Sequence, residues 1–503
     1  MPSLRVDDLT VRYPGRSEPA LDDVSLEVET GKSLAITGRT GAGKSTLALA
    51  AAGLLPRVIR ASTSGSVKVG EVDATRAAAA ELIGRVAIVF SAPALQLSAS
   101  KPTVREELAF GLENLAVPRA EMDARIDATL ARLRISHLAE RDPLALSGGE
   151  QQRVAIASIV VMGTQVLVLD EPAAQLDPQG TEDIAALVGE LTSDGRAVLI
   201  AEHAEEILSV ADRQLLLENG RTIIPGAGLE LGTMPRTRVV ASSIRGAKPI
   251  SVEVRDLVHR YPGGVEAVRG ASLYVAAGET VALVGQNGSG KTSLVKHFNG
   301  LLRPDIGSVL VGGADIAAMA VSDLAGQVGF VFQNPDDQLF NSRVDKEVGF
   351  GPRALGLESG RIDQLVDGAL AMTGLDDQRS TNPYDLDVSI RKLVALAGVL
   401  AMEPPVLVLD EPTMSQDGPG TQRIGAIVDA WRDAGRTVVS ITHDMDFAAE
   451  HFGRVVVMRM GEIILDGRPT EVFAADNAAL LESTGLRPPK RFLASIAESR
   501  TLT

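Results

Sequence analysis

The strongest constraint on this chain is a glycine-rich pattern that is written twice. Gly38-Arg39-Thr40-Gly41-Ala42-Gly43-Lys44-Ser45 and Gly285-Gln286-Asn287-Gly288-Ser289-Gly290-Lys291-Thr292 both read G-x-x-x-x-G-K-[ST]. Each copy follows a short apolar run, Ser33–Thr37 or Thr280–Val284, that reads as a buried strand. Each precedes a segment, Lys44–Gly53 or Lys291–Gly300, that reads as a helix. Glycines let the backbone curl until several N–H groups point at one phosphate chain, and the helix adds its positive N-terminal end. Lys44 and Lys291 then place a charge on the β- and γ-phosphates. Ser45 and Thr292 are candidate Mg2+ ligands, and Thr46 and Ser293 extend the phosphate-binding set.

The repetition runs the length of the chain. VRYPG at Val11–Gly15 returns as HRYPG at His259–Gly263, and VLVLDEP at Val166–Pro172 returns at Val406–Pro412. His203 has a counterpart in His443. The copies lie about 240–248 residues apart, far too long a period for a solenoid, so one fold is duplicated. The expected organisation is a domain over 1–225, a linker over 226–250, a second domain over 251–485 and a tail over 486–503. The linker is rich in Gly, Pro, Ser, Thr and Arg and has no sustained apolar period. About 25 residues can span up to roughly 80 Å, enough to let the halves face each other.

Within each half, apolar runs alternate with helical patterns: Val86–Phe90, Val166–Leu169 and Ala197–Ile200 in the first, with counterparts in the second. This alternation predicts an α/β fold with a largely parallel sheet core. The stretches Leu4–Val11, Ser25–Val28 and Ser251–Val258 suit a small antiparallel β layer. Composition narrows the function classes. With 49 Lys+Arg against 65 Asp+Glu the net charge is −16, which disfavours nucleic acid as a partner. There is no cysteine, which excludes disulfides, Cys-bound zinc and Cys-bound iron–sulfur clusters. The first ten residues lack the apolar core of a signal peptide. The apolar stretch Val154–Leu169 is broken by Ser158, Gly163, Thr164 and Gln165 and reads as a helix end, a turn and a strand. Any transmembrane path is therefore expected to belong to another chain.

The run Val166–Leu169 leads into Asp170 and Glu171, and Val406–Leu409 leads into Asp410 and Glu411. Acids at the C-terminal end of a buried strand sit where ligands collect in such sheets. Asp170 and Asp410 are candidate Mg2+ ligands, and Glu171 and Glu411 are candidates to orient or deprotonate an attacking water. His203 and His443 follow the next strand and are candidates to contact a γ-phosphate.

Between phosphate loop and acidic strand lies Leu146-Ser147-Gly148-Gly149-Glu150-Gln151-Gln152-Arg153. With this segment, which matches the family's signature, the chain resembles the ATP-binding-cassette ATPases over nearly all of both halves. The resemblance implies two tandem P-loop NTPase domains, each with a helical subdomain, that use ATP and Mg2+ and hydrolyse ATP. It also implies that Ser147, Gly148, Gly149 and Glu150 meet the ATP held by the opposite domain, so that two ATPs are sandwiched head to tail. Tyr13 and Tyr261 match the aromatic position that stacks on adenine. The second half departs from the pattern, because Asp387 stands at the place of Ser147 and Val388 at that of Gly148. A carboxylate about 4 Å from a phosphate oxygen costs roughly 1–4 kcal/mol per charge pair. A two-residue slip that brings Ser389 to the helix start is the alternative alignment. The first half departs once, where Ser91 replaces the Mg2+- and water-sensing Gln333. Both departures fall on the composite site built on Lys44. The expectation is asymmetric hydrolysis. Lys291, Gln333, Glu411 and His443 turn over with Ser147–Gly149, while Lys44, Glu171 and His203 bind ATP and hydrolyse it slowly.

The stretch Phe332–Phe340 (FQNPDDQLF) resembles the extended Q-loop of energy-coupling-factor importers. There Pro335, Asp336, Asp337, Gln338, Leu339 and Phe340 are implied contacts with the coupling helices of a transmembrane subunit. A fainter copy, Pro93–Leu97, and the segment Thr103–Gly111 follow the same branch in the first half. The branch implies uptake of a vitamin, a vitamin precursor, nickel or cobalt. Its partners are a transmembrane coupling subunit and a substrate-capturing membrane subunit, and its place is peripheral, on the cytoplasmic face of the cell membrane. The alternatives are a tandem cassette acting on the ribosome and the ATPase of another transporter class. The first would bring a long charged helical linker and two good signatures. A fused sugar-importer ATPase usually carries a spoiled second phosphate loop, and a non-hydrolysing module would not need intact Glu171 and Glu411.

Overall fold

A computed structural model describes residues 2–14, 18–39, 41–91, 93, 96–174, 176, 178–223, 250–261 and 264–492. The chain divides into two units, Met1–Arg238 and Val239–Thr503. The expected linker lies outside the described residues except for Ile250, which opens a strand.

Each unit has two sheets. In the first unit a six-stranded sheet runs in the order Arg221–Ile223, Arg213–Glu218, Ser33–Thr37, Ala197–Ala201, Val166–Asp170, Val86–Val89. All neighbours are parallel except the terminal hairpin. The second unit repeats the order with Glu462–Gly467, Arg454–Arg459, Thr280–Val284, Thr437–Ile441, Val406–Asp410, Val328–Val331. A four-stranded antiparallel sheet covers one face of each core sheet. It comprises Leu21–Glu29, Pro2–Arg12, Ser62–Val69 and Val72–Asp73 in the first unit. Its counterpart in the second comprises Glu266–Ala276, Ile250–Arg260, Ile306–Val311 and Ala314–Asp315.

Alternation within the core strands shows why they are apolar throughout. Val166 and Val168 pack on the β-layer side with Leu34 and Ile36, whereas Leu167 and Leu169 pack on the helical side with Leu108 and Ile156. Val406 and Val408 divide from Leu407 and Leu409 in the same way. A strand buried on both faces needs a continuous hydrophobic run. The helical subdomain is inserted between the strand at Val86 or Val328 and the acidic strand. It holds Val104–Asn114, Arg119–Arg132 and Gly148–Val160 in the first unit. In the second it holds Val344–Val348, Phe350–Ala354, Ser359–Thr373 and Val388–Leu400.

Some boundaries differ from the sequence reading. The loop helices stop at Ala51 and Lys296, and the glycines expected to lie at their ends, Gly53 and Gly300, take left-handed φ values of 70° and 72°. The strand Val86–Val89 ends before Phe90 because the Phe90 N–H is taken by Gln96 Oε1 at 3.1 Å. Val154–Leu169 is a helix end, a turn and a strand, and among the described residues no helix is long and apolar enough to cross a membrane. The tail expected from 486 is folded as far as it is described. Leu486 is buried, the Phe492 ring lies 5.7 Å from Phe473, and the Lys490 N–H donates to Asp446.

Phe298 is fully buried against the β layer of the second unit, where the first unit has the smaller Ala51. Phe298→Ala is expected to cost about 3–5 kcal/mol. Denaturant unfolding should show a lowered midpoint for the second unit and an unchanged one for the first.

Candidate functional site

Gly38 and Gly285 leave their strands at φ 150° and 153°. A Cβ on Gly285 would stand 2.2 Å from the Met458 carbonyl oxygen, and one on Gly38 would stand 2.1 Å from that of Leu217. The loop can turn over the neighbouring strand only as glycine. It closes through Ala42 N–H to the Arg39 carbonyl (3.0 Å) and Ser289 N–H to that of Gln286 (3.1 Å). Gly43 and Gly290 then cap the helices in left-handed conformation. Lys44 Nζ donates to the carbonyls of Gly38 (2.8 Å) and Arg39 (3.1 Å), and Lys291 Nζ to those of Gly285 (2.7 Å) and Gln286 (2.8 Å). Both ammonium groups therefore sit in the mouth of the loop; Thr40 lies outside the described residues. Tyr13 donates to Thr46 Oγ1 (3.3 Å), and the Tyr261 hydroxyl lies 3.1 Å from Ser293 Oγ, so each aromatic flanks a loop helix start.

Parallel register brings the remaining groups to the same edge. Asp170 pairs with Ala201 and Asp410 with Ile441, so each Glu–His pair emerges from adjacent strand ends. Ser45 Oγ lies 3.1 Å from Asp170 Oδ1 and Thr292 Oγ1 lies 3.4 Å from Asp410 Oδ1. A hydroxyl beside a carboxylate is an oxygen donor pair that suits a hard divalent cation. Glu411 Oε1 is 3.1 Å from His443 Nε2, whereas Glu171 Oε1 is 3.8 Å from His203 Nε2. His443 Nε2 also lies 3.0 Å from Asn287 Oδ1, joining the second strand end to its loop. Glu171 and Glu411 are themselves left-handed, at φ 48° and 50°. Burial pushes the Asp410 carboxyl up to about 6, with the Glu411 charge adding to it, and burial also raises Glu411.

Two buried charges escaped the sequence reading. Lys392 Nζ donates to the carbonyls of Glu411 (2.6 Å) and Met414 (3.2 Å), and burial pulls its ammonium down to about 8. In the first unit Glu202 accepts from the backbone N–H groups of Ala173, His203 and Ala204, and burial raises its carboxyl. Glu202 belongs to no motif, and Lys392 lies in the segment aligned with Leu146–Arg153, at the place of Gln152. The available signal was a charged residue inside an otherwise apolar helix face or strand end.

The signature segments occupy matching positions. Ser147 caps the helix Gly148–Val160 at φ −64°, ψ 158°, in a reciprocal capping box with Glu150. Asp387 caps Val388–Leu400 at φ −64°, ψ 155°, and its side chain makes no cap hydrogen bond. The slip that would bring Ser389 to the start is therefore ruled out, because Ser389 lies inside the helix and is buried. Gln333 Nε2 approaches Met414 Sδ at 3.6 Å.

The six candidate partner-contact residues separate. Asp336, Asp337 and Phe340 are exposed, while Pro335 and Leu339 are buried. Gln338 is turned inward, accepting from the Phe332 N–H (3.3 Å) and donating to the Ala395 carbonyl (3.3 Å). Gln96 makes the same two bonds in the first unit, to Phe90 and Ala155. Each amide fastens its loop to the helical subdomain; Ala94 and Leu95 lie outside the described residues.

A family model described as ABC transporter matches residues 21–174 and 268–414. A Methanosarcina acetivorans protein, provisionally named an ABC transporter ATP-binding protein, is 35% identical over 97% of this chain and 89% of its own length. A Streptomyces avermitilis protein with the same provisional name is 33% identical over 97% of this chain and 98% of its own. Among solved structures, cbiO1 from Clostridium perfringens, part of the ABC transporter complex cbiONQ, is 34% identical. It covers 49% of this chain and 99% of its own, with a TM-score of 0.43.

Gly285→Ala forces a methyl onto the Met458 carbonyl at a left-handed φ. It is expected to destabilise the second unit by about 2 kcal/mol or more. It should also abolish nucleotide binding there, read by thermal melting with and without ATP.

Proposed function

The chain belongs to the ABC transporter family and is an ATPase with two ATP-binding cassettes; from that premise we propose that it powers an energy-coupling-factor type importer. The cargo class is a vitamin, a vitamin precursor or a nickel or cobalt ion, carried by separate membrane subunits. One transmembrane subunit couples and another captures the solute, and the chain sits on the cytoplasmic face of the membrane. The observation that carries the reading is an exposed aromatic pair beside the Gln333 loop. Phe340 is 59% and Phe350 47% exposed, with their rings edge to face at 4.7 Å. Two large rings held against water suit burial by an apolar partner surface. At the matching place the first unit has Ser98 and Phe110, and the Lys101 ammonium stands 5.6 Å from the Phe110 ring. The second unit is therefore the more apolar docking face.

In hydrolysis the chain's own groups take distinct roles. Lys44 and Lys291 hold the β- and γ-phosphates, and Tyr13 and Tyr261 stack on adenine. Ser45 with Asp170, and Thr292 with Asp410 and Gln333, would hold Mg2+, which neutralises charge on the phosphate oxygens. Glu411 orients the attacking water, and His443 contacts the γ-phosphate from the adjacent strand end. The site of Lys291 is the main hydrolytic site. Its Glu–His contact is the shorter of the two, and it keeps the amide of Gln333 where the first unit has Ser91. In the head-to-tail pairing that the resemblance implies it is completed by Ser147–Gly149, whereas the Lys44 site meets Asp387.

Lys291→Ala and Glu411→Gln are each expected to lower the steady-state ATPase rate by about 100-fold or more, and Lys44→Ala by about tenfold or less. Equal losses would sink the asymmetry. Co-purification in mild detergent should bring membrane subunits that Phe340→Ser releases. Co-sedimentation with ribosomes in their place would favour the ribosomal class instead.

A further inference from the structure

Lys392 is the fifth residue of the helix Val388–Leu400 and is only 3% exposed. A buried ammonium is costly unless it is hydrogen-bonded, and this one spends its donors on main-chain carbonyls of the segment after the acidic strand. That segment is strained at both ends, with Glu411 at φ 50° and Ser415 at φ 63°. Non-glycine residues in this region cost about 1–3 kcal/mol each and persist only where the surroundings over-determine them. The Glu411 N–H is held by the Ile441 carbonyl (3.0 Å), and the Glu411 carbonyl receives Lys392 Nζ. The far end is held by Gln416 Nε2 on the Ser389 carbonyl (2.9 Å). The helix thus clamps the Glu411–Gln416 segment at two places.

Among its described residues the first unit lacks this clamp. The fifth residue of its helix is Gln152, 0% exposed, whose amide atoms have no hydrogen-bond partner among the described residues. Leu176 stands at the place of Gln416. The segment is instead held from the other side, by Glu202 through the Ala173 N–H at 3.2 Å.

We propose that Lys392 is a positioning residue for hydrolysis in the second unit: through the carbonyls of Glu411 and Met414 it fixes the left-handed turn that holds the Glu411 carboxylate against His443. The proposal rests on the reading of Glu411 as the main hydrolytic carboxylate. The helix that has lost its signature residues at one end thereby supports the catalytic carboxylate of its own unit with its second turn.

The test is steady-state ATPase of the full chain carrying Lys392→Met, alone and combined with Glu411→Gln. Lys392→Met should lower kcat by about tenfold while KM for ATP moves by less than about twofold. On the Glu411→Gln background it should change the residual rate by less than about twofold, because a group that acts through Glu411 has nothing left to position. Gln152→Met, at the matching place, should change kcat by less than about twofold. Lys392→Gln gives the same readings with a residue that the first unit already accommodates, should the methionine variant not fold. Losses that multiply in the double variant, a rise in KM with kcat unchanged, or full kcat in both Lys392 variants would overturn the proposal. Full activity in Glu411→Gln alone would overturn the hydrolytic reading beneath it.

Discussion

Each unit depends on one close approach between a glycine and the carbonyl of the strand beside it. The loop strand is central, so the chain that leaves it must roll over a neighbour, Leu217 in one unit and Met458 in the other. Without a side chain at Gly38 or Gly285 the loop folds back, and its lysine turns inward onto two loop carbonyls. The parallel ladder does the rest. Strands in register end at one edge, so a hydroxyl, two acids and a histidine from separate segments meet there without any long loop to position them.

On that shared frame the two units carry different buried charges. Around the first acidic pair stands a third carboxyl, Glu202, at the place where the second unit has Thr442. Beneath the second pair stands an ammonium, Lys392, at the place where the first has Gln152. A nearby like charge disfavours ionisation of a carboxyl and an opposite charge favours it. In the second unit the Lys392 charge favours the ionised form of Glu411, against the burial that raises it, and in each unit the buried group holds the main chain after the acidic strand. The two units thus differ in these inner charges as well as in their motif residues.

The architecture was legible because its signals are dense and local. The core strands Ser33–Thr37 and Thr280–Val284 match the sequence reading, and a doubly buried strand such as Val406–Asp410 cannot be mistaken for an amphipathic helix. The phosphate loops and acid pairs were legible for the same reason, since their chemistry demands fixed spacing. What was not legible depends on contacts distant in sequence. Gln338 resembles a surface residue of a polar loop, yet it is bonded to residues 6 and 57 positions away. Lys392 is one of three polar residues, with Ser389 and Arg391, in an otherwise apolar helix, and only the folded chain shows that it ends on Glu411. The packing of Phe492 on Phe473 depends on how the last turns fold back, which composition does not report.

The capping of the two signature helices shows how one residue redirects a whole element. In the first unit Ser147 and Glu150 satisfy each other, and the capping carboxylate is drawn back onto the Ser147 N–H. In the second Asp387 is exposed and makes no cap bond, so its charge lies at the helix end itself. An anion there complements the helix dipole and so competes with any second anion that approaches along the axis. The helix nevertheless keeps its 13-residue length, its apolar face in the core and its grip on the turn at Glu411. The helix thus carries an anion at its tip and a buried ammonium on its second turn, and the ammonium makes its contact with the turn after the acidic strand. A helix whose tip lacks the reciprocal cap of its counterpart can still, more than one turn further on, hold the main chain of Glu411.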